Sequence, residues 1–600
     1  MSSSIIFLIS FISLIISFLL IKKVEQRLNI VKWIFISLVL LFCLNSLVVY
    51  ILSYIQIPAN LIVMSLIYLL LSIFIYLKFL KKERQKYYFN KKEIIPLLII
   101  LMVIVIISFI RFGFPFSITY HTLDPSVHFQ SSYSFYQESF LLNFVQDKTI
   151  FNFETWRFCS YVNLGFIFKF ISPIMAENNF YNIYILFDIF TLFITSILFY
   201  YLINNENKSI IKLIGTLLFL LGYPLNNLLF GFFYVGHASF IIISIMILIK
   251  EFNQKNILFP LIFLLNLGLA FTYYLFLPFV FLAEFIYFIK TKNIIKKYFF
   301  IFIIPLIFVF IYFILPTFDN TNMNLLNQVK LDGFFYNDVI SNSLLFLPII
   351  SCYFYQKFKK KDIDFEIIIF ISLFLFLILL NVCILLNIIM PYYVSKYYYI
   401  LLIICFVILF RAYDEYYQQH KFEFNNYLIF IIFTIILSIT NIENKIINAN
   451  DWDINKTTPT ILFNVYNYNL NMINNPTTIF TAAELSDIKE LSNQIGNAFL
   501  TNTESERIMW LINFLQPDKV NCPVNKTYDC VLELYHLGID DYINNCNYFD
   551  CSNNNYIYFS RSIYWKESDV NLEYISNVKN SINTDMYDIK DFKFGFIINR

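Results

Sequence analysis

The sequence predicts an all-α polytopic membrane protein of about 14 transmembrane helices, followed by a C-terminal α/β soluble outer domain. Three observations lead there. Of 600 residues, 59% are hydrophobic and only 14% are charged, against roughly a quarter charged in a soluble domain. Apolar runs of about 20 residues, long enough to cross a bilayer core, recur from the N-terminus onward. The loops between them alternate in basic character, and beyond Asn441 the chain turns polar.

The first run is Ile5 to Ile21, followed by Lys22, Lys23 and Arg27. It has neither a basic n-region nor a small-residue cleavage site, so it reads as an anchor rather than a removable signal. Basic flanks favour the cytoplasmic side, which puts the N-terminus outside. Trp33 to Tyr54 returns outward and Leu61 to Leu77 goes back in. The stretch that follows holds Lys78, Lys81, Lys82, Arg84, Lys86, Lys91 and Lys92 against Glu83 and Glu93, the strongest inside signal in the chain. Residues 1–93 are therefore read as three N-terminal helices and a basic cytoplasmic loop. Ile94 to Phe112 crosses outward and opens the transmembrane core, 94–440.

An outer loop, 113–180, comes next. Within it Ser160 to Ile174 is apolar but short and carries Lys169. Counting it as a span would put Asn204 to Lys212 outside, so it reads as a juxtamembrane or re-entrant helix. Tyr181 to Ile203 enters, Ile210 to Leu225 exits, and His237 to Ile249 enters, ending at Lys250. Ile257 to Ala270 and Thr272 to Ile289 read as two short helices in a tight hairpin, ahead of Lys290, Lys292, Lys296 and Lys297. Tyr298 to Leu315 exits, and Val339 to Tyr355 enters before Lys357, Lys359, Lys360 and Lys361. Phe365 to Leu386 exits, Ser395 to Phe410 enters and Tyr427 to Thr440 exits. Both termini then lie outside, because nearly every inside loop is basic.

Residues 441–600 are expected to form an extracytoplasmic soluble domain. About 20 acidic residues face about 12 basic ones, unlike a segment held at an anionic cytoplasmic leaflet. Helix-like patterns (Ala482 to Ile495, Ser505 to Leu515) mix with strand-like ones (Tyr556 to Ser560, Phe592 to Asn599). Cys522, Cys530, Cys546 and Cys551 cluster here, which predicts two disulfides with three possible connectivities. The net charge of +2 argues against a nucleic-acid partner. There are 72 Phe and 44 Tyr; since both have AT-rich codons, single aromatic residues carry little weight.

Ionisable groups at membrane depth cost about 2.5–3.5 kcal/mol on insertion scales, so each needs a reason. The strongest local pattern is Tyr120-His121-Thr122-Leu123-Asp124-Pro125-Ser126-Val127-His128-Phe129 in the outer loop. Asp followed by Pro starts a helix, with Asp124 as N-cap and Pro125 at N1. Asp124 and His128 then stand one turn apart on one face. That arrangement suits a carboxylate base with an imidazole as metal ligand or phosphate partner. The bland alternative is an Asp-Pro cap beside a surface histidine. His237 is expected at the outer mouth of its span. Lys396 and Tyr393 lie in Pro391-Tyr392-Tyr393-Val394-Ser395-Lys396-Tyr397, also at an outer mouth. A lysine there either binds a phosphate or snorkels within an aromatic belt. Asp188 and Glu284 sit inside spans and read as internally paired. No Walker A, Rossmann, HExxH or GxSxG pattern occurs, so ATP-driven transport and classical hydrolase chemistry are unsupported.

This layout resembles the GT-C superfamily of membrane glycosyltransferases. In that family a span exits into a large outer loop with an acidic motif, followed by a short juxtamembrane helix, many spans and often an outer C-terminal domain. Here Ile94 to Phe112 corresponds to the first core helix and Asp124 to the loop acid. The short hairpin Ile257 to Ile289 is similar to paired helices of that fold. Many members carry D-x-D or E-x-D; this chain has Asp124 with His128 four residues on, so a divalent metal at these two residues stays open. The resemblance implies a polyprenyl-phosphate sugar donor in the membrane lipid and a glycan, lipid or protein acceptor. Asp124 and His128 would be catalytic. His121, His237, Lys396 and Tyr393 would bind substrate, with Lys396 neutralising the leaving phosphate. Two rival classes are a secondary transporter or flippase of lipid-linked glycans, which needs broken helices and midplane polar groups, and a non-catalytic membrane protein with an outer binding domain.

Overall fold

The computed structural model describes residues 2–19, 28–79, 86–117, 120, 124–140, 158–203, 209–252, 258–290, 304–307, 334–336, 347–360, 363–386, 388–389 and 391–420. From the C-terminal quarter it describes 446–448, 469–470, 472–474, 499–501, 555–559, 580, 588–592 and 595–599. The chain is a multi-spanning helical membrane protein. Nine helical stretches among the described residues are long and apolar enough to cross a bilayer.

The helices follow the apolar runs. They are α1 (Ser2–Leu19), α2 (Ile30–Tyr54), α3 (Leu61–Phe79), α4 (Ile94–Phe112), α5 (Asp124–Glu138), α6 (Phe158–Ile171), α7 (Phe180–Leu202) and α8 (Ser209–Leu221). Then come α9 (Tyr223–Phe230), α10 (Phe233–Glu251), α11 (Leu258–Tyr273), α12 (Leu277–Lys290), α13 (Leu347–Lys360), α14 (Phe365–Leu385) and α15 (Pro391–His420). Along α4 the residues Ile95, Leu98, Met102, Ile106 and Phe109 are exposed, and along α3 Ile62, Leu66, Leu70, Ile73 and Leu77. Their three- and four-residue spacing makes one apolar stripe per helix. In water such stripes would drive aggregation; in a bilayer they are the solvated face. By contrast α10 is buried on nearly all sides, as is Tyr392–Arg411 of α15, so these two form the centre of the bundle.

At the end carrying the basic loops, side chains lace the helices together. Lys32 pairs with Glu251, and Arg411 with Glu366 and, at 3.4 Å, with Asp364. Asn29 Nδ2 donates to Glu93 Oε2 (2.7 Å) and the Tyr201 hydroxyl donates to the same oxygen (3.2 Å). Beside them β1 (Leu28–Asn29) runs parallel to β2 (Tyr87–Tyr88).

One departure from the expected spans and two expected features matter for the site. The run Ile210 to Leu225 is not one helix: α8 ends at Leu221 and α9 restarts at Tyr223, with Pro224 in its first turn. Proline lacks the N–H that would continue α8. The run Leu258–Lys290 doubles back. Asn266 Nδ2 donates to Glu284 Oε2 at 2.9 Å, whereas an uninterrupted helix would hold these residues about 27 Å apart. The expected short hairpin is therefore present. Finally, α6 has 14 residues, about 21 Å, too short for a hydrocarbon core of about 30 Å. It lies inside the bundle, where Asn45 of mid-α2 donates to Asn163 Oδ1 (2.7 Å). Most of Tyr298 to Leu315 and all of Tyr427 to Thr440 lie outside the described residues.

α5 and α6 run side by side in the same direction. His128 meets Tyr161, Phe135 meets Gly165, and Ser139 accepts from Lys169. A Cβ on Gly165 would sit 2.5 Å from the Phe135 ring and 2.9 Å from the Ser132 carbonyl, so only glycine allows this approach, as small residues do at membrane helix contacts.

In the C-terminal region β5 (Phe499–Thr501), β6 (Asn555–Phe559), β7 (Asp588–Phe592) and β8 (Gly595–Asn599) form a sheet in the order β5-β6-β8-β7. β5 is parallel to β6 and the other pairs are antiparallel. The strand-like run Phe592 to Asn599 takes in the last residue of β7 and all of β8, which pair antiparallel. A shorter antiparallel pair joins β3 (Phe334–Tyr336) to β4 (Ile446–Asn448). The two expected C-terminal helices and Cys522, Cys530, Cys546 and Cys551 lie outside the described residues.

One C-terminal piece returns to the bundle. Asn469 Nδ2 donates to the carbonyls of Leu221 (2.8 Å) and Gly222 (2.7 Å), and its Oδ1 accepts from Asn226 Nδ2 (2.9 Å). The break between α8 and α9 leaves the last carbonyls of α8 short of partners; Asn469 bonds Leu221 O and adds a second donor to Gly222 O, which also accepts from Asn226 N–H (3.1 Å). Arg111, at the end of α4, donates to the Met472 carbonyl. Asn469→Leu should strip Leu221 O and Asn226 Nδ2 of partners and lower stability by about 1–3 kcal/mol per group. Thermal unfolding in detergent reads this out; an unchanged midpoint would place residues 469–474 elsewhere.

Candidate functional site

The break between α9 and α10 organises the polar interior. Gly231 closes α9 with φ +80°. Its N–H donates to Leu228 O (3.1 Å), and the N–H of Phe232 reaches Asn227 O (2.8 Å). This is the Schellman arrangement, which calls for a left-handed residue and hence for glycine. A Cβ on Gly231 would also come within 2.1 Å of Pro125 Cγ. The Asp-Pro start of α5 is thus seated directly on the α9–α10 turn. Gly231→Ala should cost about 1–3 kcal/mol in backbone strain and push Pro125 away. The expected result is a lower unfolding midpoint with a larger loss of any activity that depends on Asp124; a wild-type midpoint would contradict the close seat.

From that turn α10 begins, and its first residues join two of the sequence-selected side chains. His128 is buried, not at the surface, with 1% exposure. Its Nδ1 lies 2.9 Å from the Tyr161 hydroxyl, and its ring packs against Phe233 and Tyr234 at centroid distances of 4.8 and 5.3 Å. Lys396 is also fully buried, at 0% exposure, which rules out snorkelling. The reason is that α15 starts at Pro391, so Lys396 lies in its second turn rather than at a span mouth. Its Nζ donates to the hydroxyls of Tyr234 (2.6 Å) and Tyr392 (3.1 Å). The rings of Phe232, Tyr234, Tyr392 and Tyr393 surround it at 4.9, 5.0, 4.1 and 4.9 Å. Cation–π attraction of this kind reaches about 2 kcal/mol or more per contact when water is excluded. Tyr234 therefore stands between His128 and Lys396 and touches both.

His237 is one turn further into α10, which starts at Phe233, four residues earlier than the expected span. It is likewise inside the bundle. Thr191 Oγ1 has one proton and donates it to Phe187 O (3.0 Å), so it accepts from His237 Nε2 (2.8 Å). Nδ1 is then the acceptor for Ser160 Oγ–H at 2.6 Å. Both ring nitrogens are occupied, and a ligand at this imidazole must displace a hydroxyl. Asp124 starts α5 on the backbone, but its side chain, and His121 entirely, lie outside the described residues.

A second polar group adjoins the first. The Tyr120 hydroxyl donates to Asp188 Oδ2 (3.1 Å), and the rings of Tyr120 and Tyr184 pack at 5.9 Å. Burial, with Asp188 and Tyr184 alongside, pushes the Tyr120 phenol well above its ordinary value, so it stays a donor. A cavity of about 20 Å³ is lined by Asp188, Thr191, Thr195, Asn227 and Ser239. That exceeds the roughly 10–15 Å³ needed for one water. The buried Asn227 Oδ1, which has no partner among the described residues, belongs to this wall.

Tyr161, Tyr234, Tyr120 and Asn227 are the residues sequence reasoning missed. The adjacent amides Asn226-Asn227 inside an apolar run were the available signal, because buried amides in a span need partners. The tyrosines had none, being three among 44. Among the described residues no group of three His, Cys, Asp or Glu side chains gathers as a metal site. No family model, no curated protein and no solved structure matches this chain.

Proposed function

We propose that this chain is a membrane glycosyltransferase that moves a sugar from a polyprenyl-phosphate-linked donor to an extracytoplasmic acceptor. One observation supports it most: a buried lysine in an aromatic box shares Tyr234 with His128, beside the turn that seats the Asp124 helix start. In this reading the acceptor hydroxyl oxygen attacks the anomeric carbon as the bond from that carbon to the phosphate oxygen breaks. Asp124 takes the hydroxyl proton. His128 and Tyr161 orient the reacting groups. The departing polyprenyl phosphate is stabilised by Lys396, reached when Tyr392 and Tyr393, in the first turn of α15, swing aside. About 14 spans, two extracytoplasmic termini and an outer α/β domain over 441–600 complete the proposal, so that donor and acceptor meet on the outer side. His121 and His237 assist at the phosphate, and a divalent metal at Asp124 and His128 is compatible with the chemistry of that pair.

A specific feature favours a second reading, transport of a lipid-linked glycan. Helices break at Gly222, at Gly231–Phe232 and between α11 and α12, and discontinuous helices are common at transporter sites. Purified protein in proteoliposomes, given a panel of polyprenyl-phospho-sugars, separates the two. Sugar transferred or released with free polyprenyl phosphate supports the enzyme. Donor moved across the bilayer without cleavage supports the transporter and overturns the first reading.

A further inference from the structure

A cavity of about 230 Å³ lies between α1, α2, α6, α7 and α10. We propose that it holds a segment of one acyl chain of a bilayer phospholipid. Its walls are mainly aromatic, including Phe7, Phe42, Phe166, Phe187 and Phe240, and no charged residue lines it. The four polar residues on the wall are already engaged. Asn45 Nδ2 donates to Asn163 Oδ1, and Asn45 Oδ1 accepts from the Tyr68 hydroxyl. Asn163 Nδ2 donates to Phe42 O (3.0 Å) and Cys159 O (2.7 Å). Thr191 and His237 bond each other, and His237 also bonds Ser160. An occupant gains no hydrogen bond here, and water avoids an apolar cavity of this kind. The fitting ligand is a hydrocarbon.

Two further observations place that hydrocarbon in the bilayer. The wall residues at the mouth, Leu8 on α1 and Phe190 on α7, are each 43% exposed. Both lie on apolar helices, so the opening faces lipid. Along α2 the lining runs from Leu38 to Asn45, and along α7 from Phe187 to Ile194. Each stretch covers two turns, about 10 Å. The space is a slot parallel to the helix axes, the direction in which lipid chains lie. The slot shares His237 with the transferase reading, but its occupancy is tested at Leu38 and Ile194, which have no part in that reading.

Native mass spectrometry of the full chain released from detergent micelles tests it. One phospholipid should stay bound at an activation that strips all others. Leu38→Trp and Ile194→Trp, which fill the slot, should abolish that adduct. Ile106→Trp, on the exposed stripe of α4, should keep it. A wild-type protein that retains no lipid, or filled variants that retain one, would overturn the proposal. So would a retained species that exchanges with added polyisoprenol but not with a phospholipid of different acyl length. If the filled variants fail to fold, Phe190→Ala replaces them. It widens the mouth and should speed exchange of the bound lipid, and unchanged exchange would equally refute the assignment.

Discussion

Asp124→Asn is expected to fold like the wild type and lose about 10²–10⁴-fold in sugar transfer. The size follows from the role: a positioned general base contributes that much, and the amide has no basic lone pair to offer. The substitution is chosen because Asn is nearly isosteric with Asp and suits a helix start about as well, so Pro125 keeps its seat on the Gly231 turn. A purely structural Asp124 would therefore give a variant with near-normal turnover. The readout pairs the thermal midpoint with kcat at saturating donor. A normal midpoint with normal kcat would remove Asp124 from the mechanism and, with it, the main support for a transferase.

Lys396→Met carries the second large effect. Methionine keeps the unbranched stem inside the four aromatic rings but deletes the charge. A charge-assisted contact to phosphate is worth about 1.5–3 kcal/mol, so donor affinity should fall roughly ten- to a hundredfold. Lys396→Arg is not a rescue, because the planar guanidinium is larger than the ammonium and asks for a fork of acceptors. If Lys396 only braces the packing of Tyr234 and Tyr392, the Met variant should lose stability and leave the donor KM unchanged. A raised donor KM, over and above the stability lost with the aromatic contacts, is the signature of a phosphate contact.

The span positions were legible because the bilayer allows few solutions. Ile94 to Phe112, read from hydropathy alone, is bounded as α4 is in the structure. What hydropathy misses is where helices stop inside the membrane. Gly222 and Gly231 interrupt apolar runs without lowering their average polarity enough to be seen. His237 was consequently placed at a span mouth although it lies one turn into α10, and Lys396 was placed at one because α15 starts at Pro391, four residues before the expected Ser395. The shared direction of α5 and α6 was equally hidden, since it depends on Phe135 meeting Gly165 across more than a loop's length of chain. Asn469 shows the opposite failure. It lies in a segment that reads as soluble, yet it answers carbonyls that only the folded break at Gly222 exposes. The Asp124–His128 pattern was legible as a helix start; the burial of His128 against Phe233 and Tyr234 was not.

The meeting of helix starts around Tyr234 has an electrostatic consequence. α5 begins on the Gly231 turn, α6 begins three residues before Tyr161, α10 begins at Phe233 and α15 begins at Pro391. Tyr161 touches His128, and Tyr392 touches Lys396. Each helix carries roughly half a positive elementary charge at its N-terminus, from aligned peptide dipoles. Aimed toward one enclosed region of low dielectric, these add to the ammonium of Lys396 rather than being screened by water and salt. The interior is therefore biased toward anions by its main chain as well as by its side chains. Point substitution weakens that bias without abolishing it, and raised ionic strength leaves it largely intact.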